Sequence, residues 1–215
     1  MNELKQASHV ITVLVVDDHP LLRDGIASAL ENEPDMRLVA EAVDGKSALE
    51  QFRIHQPDVT LMDLRLPDIS GNEAIEQIRS TFPNARIIVL TTYQGDVQAI
   101  RAFKAGARAY LLKSSLRKDL LSTIRAVQDG KKVIPPEIAG AMASHIADDE
   151  LSQRELQILR HVADGLSNKL IADRLALSPD TVKSHLANAM AKLNANDRTH
   201  AVTIAVKRGY FDLDA

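Results

Sequence analysis

Apolar residues recur along this chain in two rhythms. Up to about residue 130, short apolar runs alternate with stretches in which apolar residues return every three or four positions. The runs at 11–16, 36–42, 59–63, 86–91 and 107–112 are dominated by Val, Ile, Leu and Met, and predict strands, the central ones buried on both faces. The segments between them predict helices at 19–30, where Leu22, Ile26 and Leu30 share a face, and at 47–52, 72–79, 96–104 and 116–128. Strands alternating with helices require right-handed crossovers, and hence a doubly wound parallel α/β sheet. Pro67 and Gly71 bracket a sharp loop, where both glycine and proline have an ordinary turn reading, and Gly106 predicts a left-handed helix cap.

The alternation stops between 129 and 150. Gly130, Lys131, Lys132, Pro135, Pro136 and the acidic run at 148–150 predict a linker, with a short helix at 137–146 inside it. Beyond it the rhythm is helical throughout. Ser152 and Glu155 form a capping-box pattern, Leu156, Leu159 and Val162 share one face, and Gly165 closes the helix. A second helix runs from Ser167 to about Leu175, a third starts at Ser178 with Pro179 and Asp180 in its first turn, and a fourth spans 198–208. The expected division is therefore 11–130, a linker at 131–150, and an all-α domain at 151–215.

The second and third helices of that domain, joined by a tight turn at 175–178, predict a helix-turn-helix, whose later helix enters the major groove of DNA. On that helix Val182, Leu186, Ala189 and Leu193 face inward, which leaves Lys183, Ser184, Ala187 and Asn188 outward. Small residues beside a lysine allow close approach to base edges, whereas an ordinary solvated helix face would carry more alternating charge. His185 lies at the margin of the inward face, where packing and phosphate contact are equally open.

The candidate chemistry lies at strand ends. Successive runs finish in Asp17 and Asp18, in Asp63, in Thr91 and in Lys113. The carboxyl edge of a parallel sheet is where ligands bind. Crowded carboxylates repel unless a cation joins them, and a small set of oxygen ligands suits Mg²⁺. With Lys113 as a second positive charge, the group is suited to placing a phosphoryl on one carboxylate. The bland alternative for Asp63 is a turn or capping aspartate, which leaves its partners at the other strand ends unexplained.

Composition narrows the class. A chain of 215 residues has room for two modest domains, and 45% hydrophobic with 26% charged residues is globular rather than disordered. No cysteine is present, which excludes disulfides and thiolate metal sites. The first residues, Met1 to Gln6, lack the basic-then-apolar pattern of a signal peptide, no apolar stretch would cross a bilayer, and a cytoplasmic location is expected. Residues 151–215 hold 9 Lys+Arg against 7 Asp+Glu while the whole chain is at −3, an asymmetry that permits DNA binding by the tail without proving it. His9, His19, His55, His145, His161 and His200 form no ligand spacing and are assigned no role.

From about Val13 to Gly130 the acidic pair, Asp63 with its downstream Leu66-Pro67, Thr91 and Lys113 together resemble the receiver domain of a two-component response regulator. From Leu151 to about Tyr210, Leu151-Ser152-x-Arg154-Glu155, Gly165-Leu166-Ser167-Asn168-Lys169, Ile171-Ala172, Thr181-Val182-Lys183-x-His185 and Lys192-Leu193 resemble the LuxR-type DNA-binding domain of the NarL/FixJ regulators. Leu170, where the pattern commonly has an acidic residue, and Ala187, where some members carry a base-reading side chain, depart from it.

The resemblance implies a flavodoxin-like five-stranded sheet in the order 2-1-3-4-5, followed by a four-helix LuxR-type helix-turn-helix domain. It implies Asp63 as phospho-acceptor, and Mg²⁺ held by Asp17, Asp18, Asp63 and the Arg65 carbonyl. Thr91 would be the switch hydroxyl, favoured over adjacent Thr92 by family register, Lys113 the phosphate-binding lysine, and Tyr110 an aromatic that turns inward. DNA contacts would come from Lys169, Thr181, Lys183, Ser184, His185, Ala187 and Lys192. Family geometry also sets Arg65 and Tyr93 around the path of attacking water. The implied partners are a sensor histidine kinase, promoter DNA, the transcription machinery and a second copy of the chain, with no membrane. Two other readings are a Mg²⁺-dependent aspartyl-phosphate phosphatase, which would want an acid where Arg65 stands, and a receiver that is never phosphorylated.

Overall fold

The computed structural model describes residues 9–92, 95–144 and 150–211. The described part of Met1–Thr92 with Ile100–Pro135 forms one compact unit, and that of Tyr93–Ala99 with Pro136–Ala215 a second. Among the described residues no helix is long and apolar enough to cross a membrane.

The sheet contains β1 (Ile11–Val16), β2 (Met36–Ala42), β3 (Val59–Asp63), β4 (Ile87–Thr91) and β5 (Ala109–Leu112), all parallel, in the order β2-β1-β3-β4-β5. This is the expected fold. Every residue of β3, β4 and β5 is buried, as unbroken apolar runs require, whereas β2, at one edge, is only partly covered. The connecting helices are α1 (Pro20–Glu31), α2 (Gly45–His55), α3 (Gly71–Thr81), α4 (Asp96–Ala105) and α5 (Leu116–Gln128). α5 buries Leu116, Leu120, Ile124 and Val127 against β1, β3, β4 and β5 residues such as Val15, Leu61, Leu90 and Leu111. Each fully buried aliphatic of this kind stabilises by roughly 1.5–3 kcal/mol.

Several boundaries differ from expectation for identifiable reasons. α2 begins two residues before the expected Ser47, because Asp44 and Ser47 make a reciprocal capping box, and it continues to His55. β5 starts at Ala109 rather than 107, since Gly106 at φ 113 is still closing α4. A 3₁₀ turn at Lys113–Ser115, not foreseen, joins β5 to α5. Val133, in the stretch expected to be linker, pairs with the open edge of β5: its amide donates to Arg108 O and its carbonyl accepts from Tyr110 N. A helix, α6 (Pro136–Ser144), follows; residues 145 and 146 of the expected helix lie outside the described residues.

The second unit holds α7 (Gln153–Ala163), α8 (Asn168–Leu175), α9 (Pro179–Lys192) and α10 (Arg198–Lys207). Ser152, Ser167, Ser178 and Asp197 cap their N-termini with side-chain oxygens. Leu156, Leu159, Val162, Val182, Leu186, Ala189 and Leu193 lie in the core, as the periodicity predicts, together with Ile171. Between α8 and α9, Ala176 takes a left-handed φ of 53, and Leu177 N donates back to Ala172 O at 2.9 Å, which makes the turn abrupt.

Candidate functional site

Strand register assembles the first site. Val16 stands opposite Met62, Asp63 opposite Leu90, and Thr91 opposite Leu112. Asp17, Asp63, Thr91 and Lys113 therefore arrive along one edge. Asp17, Asp63 and Thr91 are buried and Asp18 is exposed.

Lys113 Nζ donates to Asp63 Oδ2 at 2.7 Å and lies 2.8 Å from Asp17 Oδ2. The latter is an ion pair, so the Lys113 ammonium is shared between two buried carboxylates. Asp63 Oδ1 accepts the Arg65 amide at 3.1 Å. Burial pushes the Asp63 carboxyl above its ordinary range, with the nearby Asp17 charge adding to it and Lys113 and the Arg65 amide opposing. Burial acts on Lys113 in the opposite sense, but its hydrogen bonds with Asp17 and Asp63 prevail and hold its pKa above the usual value.

One ammonium balances three carboxylates poorly. Ligand atoms of Asp17, Asp18, His19 and Asp63 all lie within 4.8 Å of one another. This oxygen-rich set, with three carboxylates against one ammonium, fits a hard divalent cation such as Mg²⁺.

Tyr110 is fully buried and hydrogen-bonds with Thr91; burial, against that bond, raises its hydroxyl pKa to about 12. The ring expected to turn inward is thus already inside in this arrangement. Arg65 is exposed, and Tyr93 lies outside the described residues.

Three supports escaped the reading of residue types. Arg23 donates to the Asp17 carbonyl at 2.7 Å and to Glu41 at 2.9 Å, fixing the acidic turn. Asp68 accepts the amides of Gly45 and Lys46 at 2.7 and 3.0 Å, tying the loop after Asp63 to the start of α2. Gly71 is more than a turn residue: a Cβ there would lie 2.1 Å from the Asp63 carbonyl oxygen and 2.8 Å from Leu64 Cα. Only a bare backbone fits there. The signal for Gly71 was its fixed distance from Asp63 and its place before the helix, which also suit an ordinary turn.

The second site is the outer face of α9. Lys183, Ser184, Ala187 and Asn188 are exposed, Thr181 and His185 are half-buried, and Lys169 on α8 is exposed. Thr181 Oγ1 pairs with Ser178 Oγ at 2.8 Å, and Ser184 Oγ donates to Asp180 O at 3.0 Å. Lys192 departs from expectation. Its Nζ is 2.9 Å from Glu155 Oε2 and 3.0 Å from Glu150 O, so the ammonium assigned to a DNA phosphate is engaged inside its own domain. Leu170, which departs from the family pattern, is exposed.

Comparison with known proteins agrees with both halves. Residues 13–125 match the response regulator receiver domain, and residues 149–205 the bacterial regulatory proteins of the luxR family. The chain is 36% identical to the uncharacterized transcriptional regulatory protein YxjL of Bacillus subtilis over 210 residues, 93% of this chain and 96% of that protein. It is 36% identical to the response regulator protein VraR of Staphylococcus aureus over 200 residues, 91% and 96% of the two chains. RcsB of Salmonella enterica serovar Typhimurium, bound to promoter P1flhDC in the presence of the phosphomimetic BeF3−, superposes with a TM-score of 0.71 at 27% identity, covering 93% of this chain and 99% of that one.

Proposed function

Because the chain belongs to the response regulators that join a receiver domain to a luxR-family DNA-binding domain, we propose that Asp63 receives the signal and that α9 delivers it to promoter DNA. The observation that carries this reading is the buried Asp63 carboxylate, held 2.7 Å from Lys113 beside Asp17 at the sheet edge. We assign phosphoryl acceptance to the domain around 11–130 and DNA binding to 151–215.

In the proposed step a carboxylate oxygen of Asp63 attacks the phosphorus of a kinase phosphohistidine. The new P–O bond forms as the P–N bond breaks, and the histidine leaves as neutral imidazole, its ring having taken a proton from solvent. Lys113 neutralises a phosphoryl oxygen, and the Arg65 amide, already on Asp63 Oδ1, orients the carboxylate. Asp18, Asp63 and the Arg65 carbonyl would hold Mg²⁺, with Asp17 orienting a metal-bound water; the ion supplies charge neutralisation at the phosphoryl group.

Thr91 then bonds the phosphate, and its link to Tyr110 carries the change to the surface as a shift between two packings. Dimerisation through the receiver, the last helix or both accompanies it, since a helix-turn-helix dimer matches a two-fold repeated site. A histidine kinase, promoter DNA and the transcription machinery are the partners this requires, and a cytoplasmic location suits all three.

Intact-mass measurement after incubation with acetyl phosphate and Mg²⁺ tests the acceptor. One added phosphoryl group on the wild type and none on Asp63→Asn is expected; undiminished labelling of that variant would overturn the assignment.

A further inference from the structure

We propose that His19 is a nitrogen ligand of the cation site, and that it extends the site's range from Mg²⁺ to borderline divalent ions such as Zn²⁺ and Co²⁺. This rests on the reading of Asp17, Asp18 and Asp63 as a metal site.

His19 Nδ1 lies 3.0 Å from Asp17 Oδ1 and 2.6 Å from Asp18 Oδ1. Two ligands at adjacent coordination positions, each about 2.1 Å from a metal, stand roughly 3 Å apart. The imidazole nitrogen, hydrogen-bonded to Asp17 Oδ1, therefore stands beside both carboxylates at or just inside the separation of neighbouring ligands. Its position is also fixed from the backbone, because the His19 amide donates to the same Asp17 oxygen at 2.9 Å. The ligand atoms of Asp17, Asp18, His19 and Asp63 all lie within 4.8 Å of one another, so one ion can reach all four.

The side chain does not cap α1, and its ring contacts Asp17 and Asp18. His19 occupies the N-cap position but makes no side-chain cap hydrogen bond, and Pro20 begins the helix without needing one. His19 is also largely exposed, so the ring has room to turn its nitrogen toward an ion. Carboxylate oxygens alone serve Mg²⁺ and Mn²⁺. An added imidazole favours Zn²⁺ and Co²⁺, which bind nitrogen more strongly, and leaves Mg²⁺ nearly indifferent.

The test compares calorimetric titration of Mg²⁺ and of Zn²⁺ into the wild type, His19→Ala and His19→Asn. The expected result is a loss of Zn²⁺ affinity of about tenfold or more in both variants, with Mg²⁺ affinity changed by less than about threefold. Nitrogen NMR of histidine-labelled wild-type protein gives a second readout that needs no variant. Zn²⁺ at one equivalent should displace the His19 Nδ1 resonance ahead of those of the other histidines. Unchanged Zn²⁺ affinity with an unmoved His19 resonance would overturn the proposal, and so would equal losses for both ions, which would mean that the ring only supports the pocket. Failure of the wild type to bind Mg²⁺ at all, with His19-dependent Zn²⁺ binding intact, would count against the receiver chemistry and leave this inference standing.

Discussion

Lys192 Nζ donates to Glu155 Oε2 at 2.9 Å, joining the last turn of α9 to the first turn of α7. Glu155 is buried and also accepts the Ser152 amide at 2.7 Å, so one carboxylate caps a helix and neutralises a lysine.

Lys192→Met should therefore act on stability first. Leaving Glu155 buried without its cation costs about 3–5 kcal/mol, which chemical denaturation of the full chain would register as an earlier transition of the second unit. The salt dependence of DNA binding should keep its slope, since the ammonium is not free for a phosphate. An equally stable variant with a shallower slope would restore the DNA role.

The same pair predicts a pH response. Burial raises the Glu155 carboxyl, but the Lys192 hydrogen bond and the Ser152 amide together hold it below its ordinary value of 4.5. A carboxyl depressed in the folded state contributes stability that is complete above 4.5 and lost as pH falls through the lower folded value. Unfolding midpoints from pH 6 down to 3 should fall more steeply for the wild type than for Glu155→Gln; parallel curves would contradict this.

Much of the first site was legible because a buried strand is an apolar run that stops abruptly, and what it stops at, Asp17, Asp63, Thr91 or Lys113, is necessarily at the sheet edge. The outward face of α9 was legible for a similar reason, the inward positions Val182, Leu186 and Ala189 leaving no other side. Pairings across long sequence separation were not legible. Lys192 has the spacing of a surface lysine, and nothing local announces Glu155 or Glu150 as its partner. Nor does strand alternation say whether the Tyr110 ring points inward, which depends on the space beside Thr91. Gly71 looked like a turn because a turn and a close backbone approach ask for the same residue.

Gly71→Ala separates those two explanations. Its Cβ would meet the Asp63 carbonyl oxygen at 2.1 Å, an atom that cannot swing aside as a side chain could. A loss of about 3 kcal/mol or more and slower phosphorylation by acetyl phosphate are expected. A variant of wild-type stability would show that the loop yields freely.

Lys183→Ala should relax sequence preference and cost roughly 1–3 kcal/mol on a preferred duplex. Lys169→Ala should weaken all duplexes alike and reduce the salt slope. Anisotropy titrations at fixed and varied salt distinguish them, and identical profiles would refute the assignment of α9 to base edges.

The proposed shielding of an aspartyl phosphate from water by Arg65, exposed two residues beyond Asp63, has a kinetic consequence. Arg65→Asn should shorten the phosphate lifetime in excess Mg²⁺. A longer lifetime would mean that the guanidinium stabilises the transition state of hydrolysis instead.

The control of DNA binding by Asp63 is tested most directly by capturing genomic fragments with the acetyl-phosphate-treated protein and titrating a recovered duplex at one salt concentration. Phosphorylation should tighten binding by the wild type about tenfold or more and leave Asp63→Asn unchanged, the shift expected of a coupling of 1–3 kcal/mol. Equal affinity with and without phosphorylation, or an Asp63→Asn protein that still responds, would contradict it.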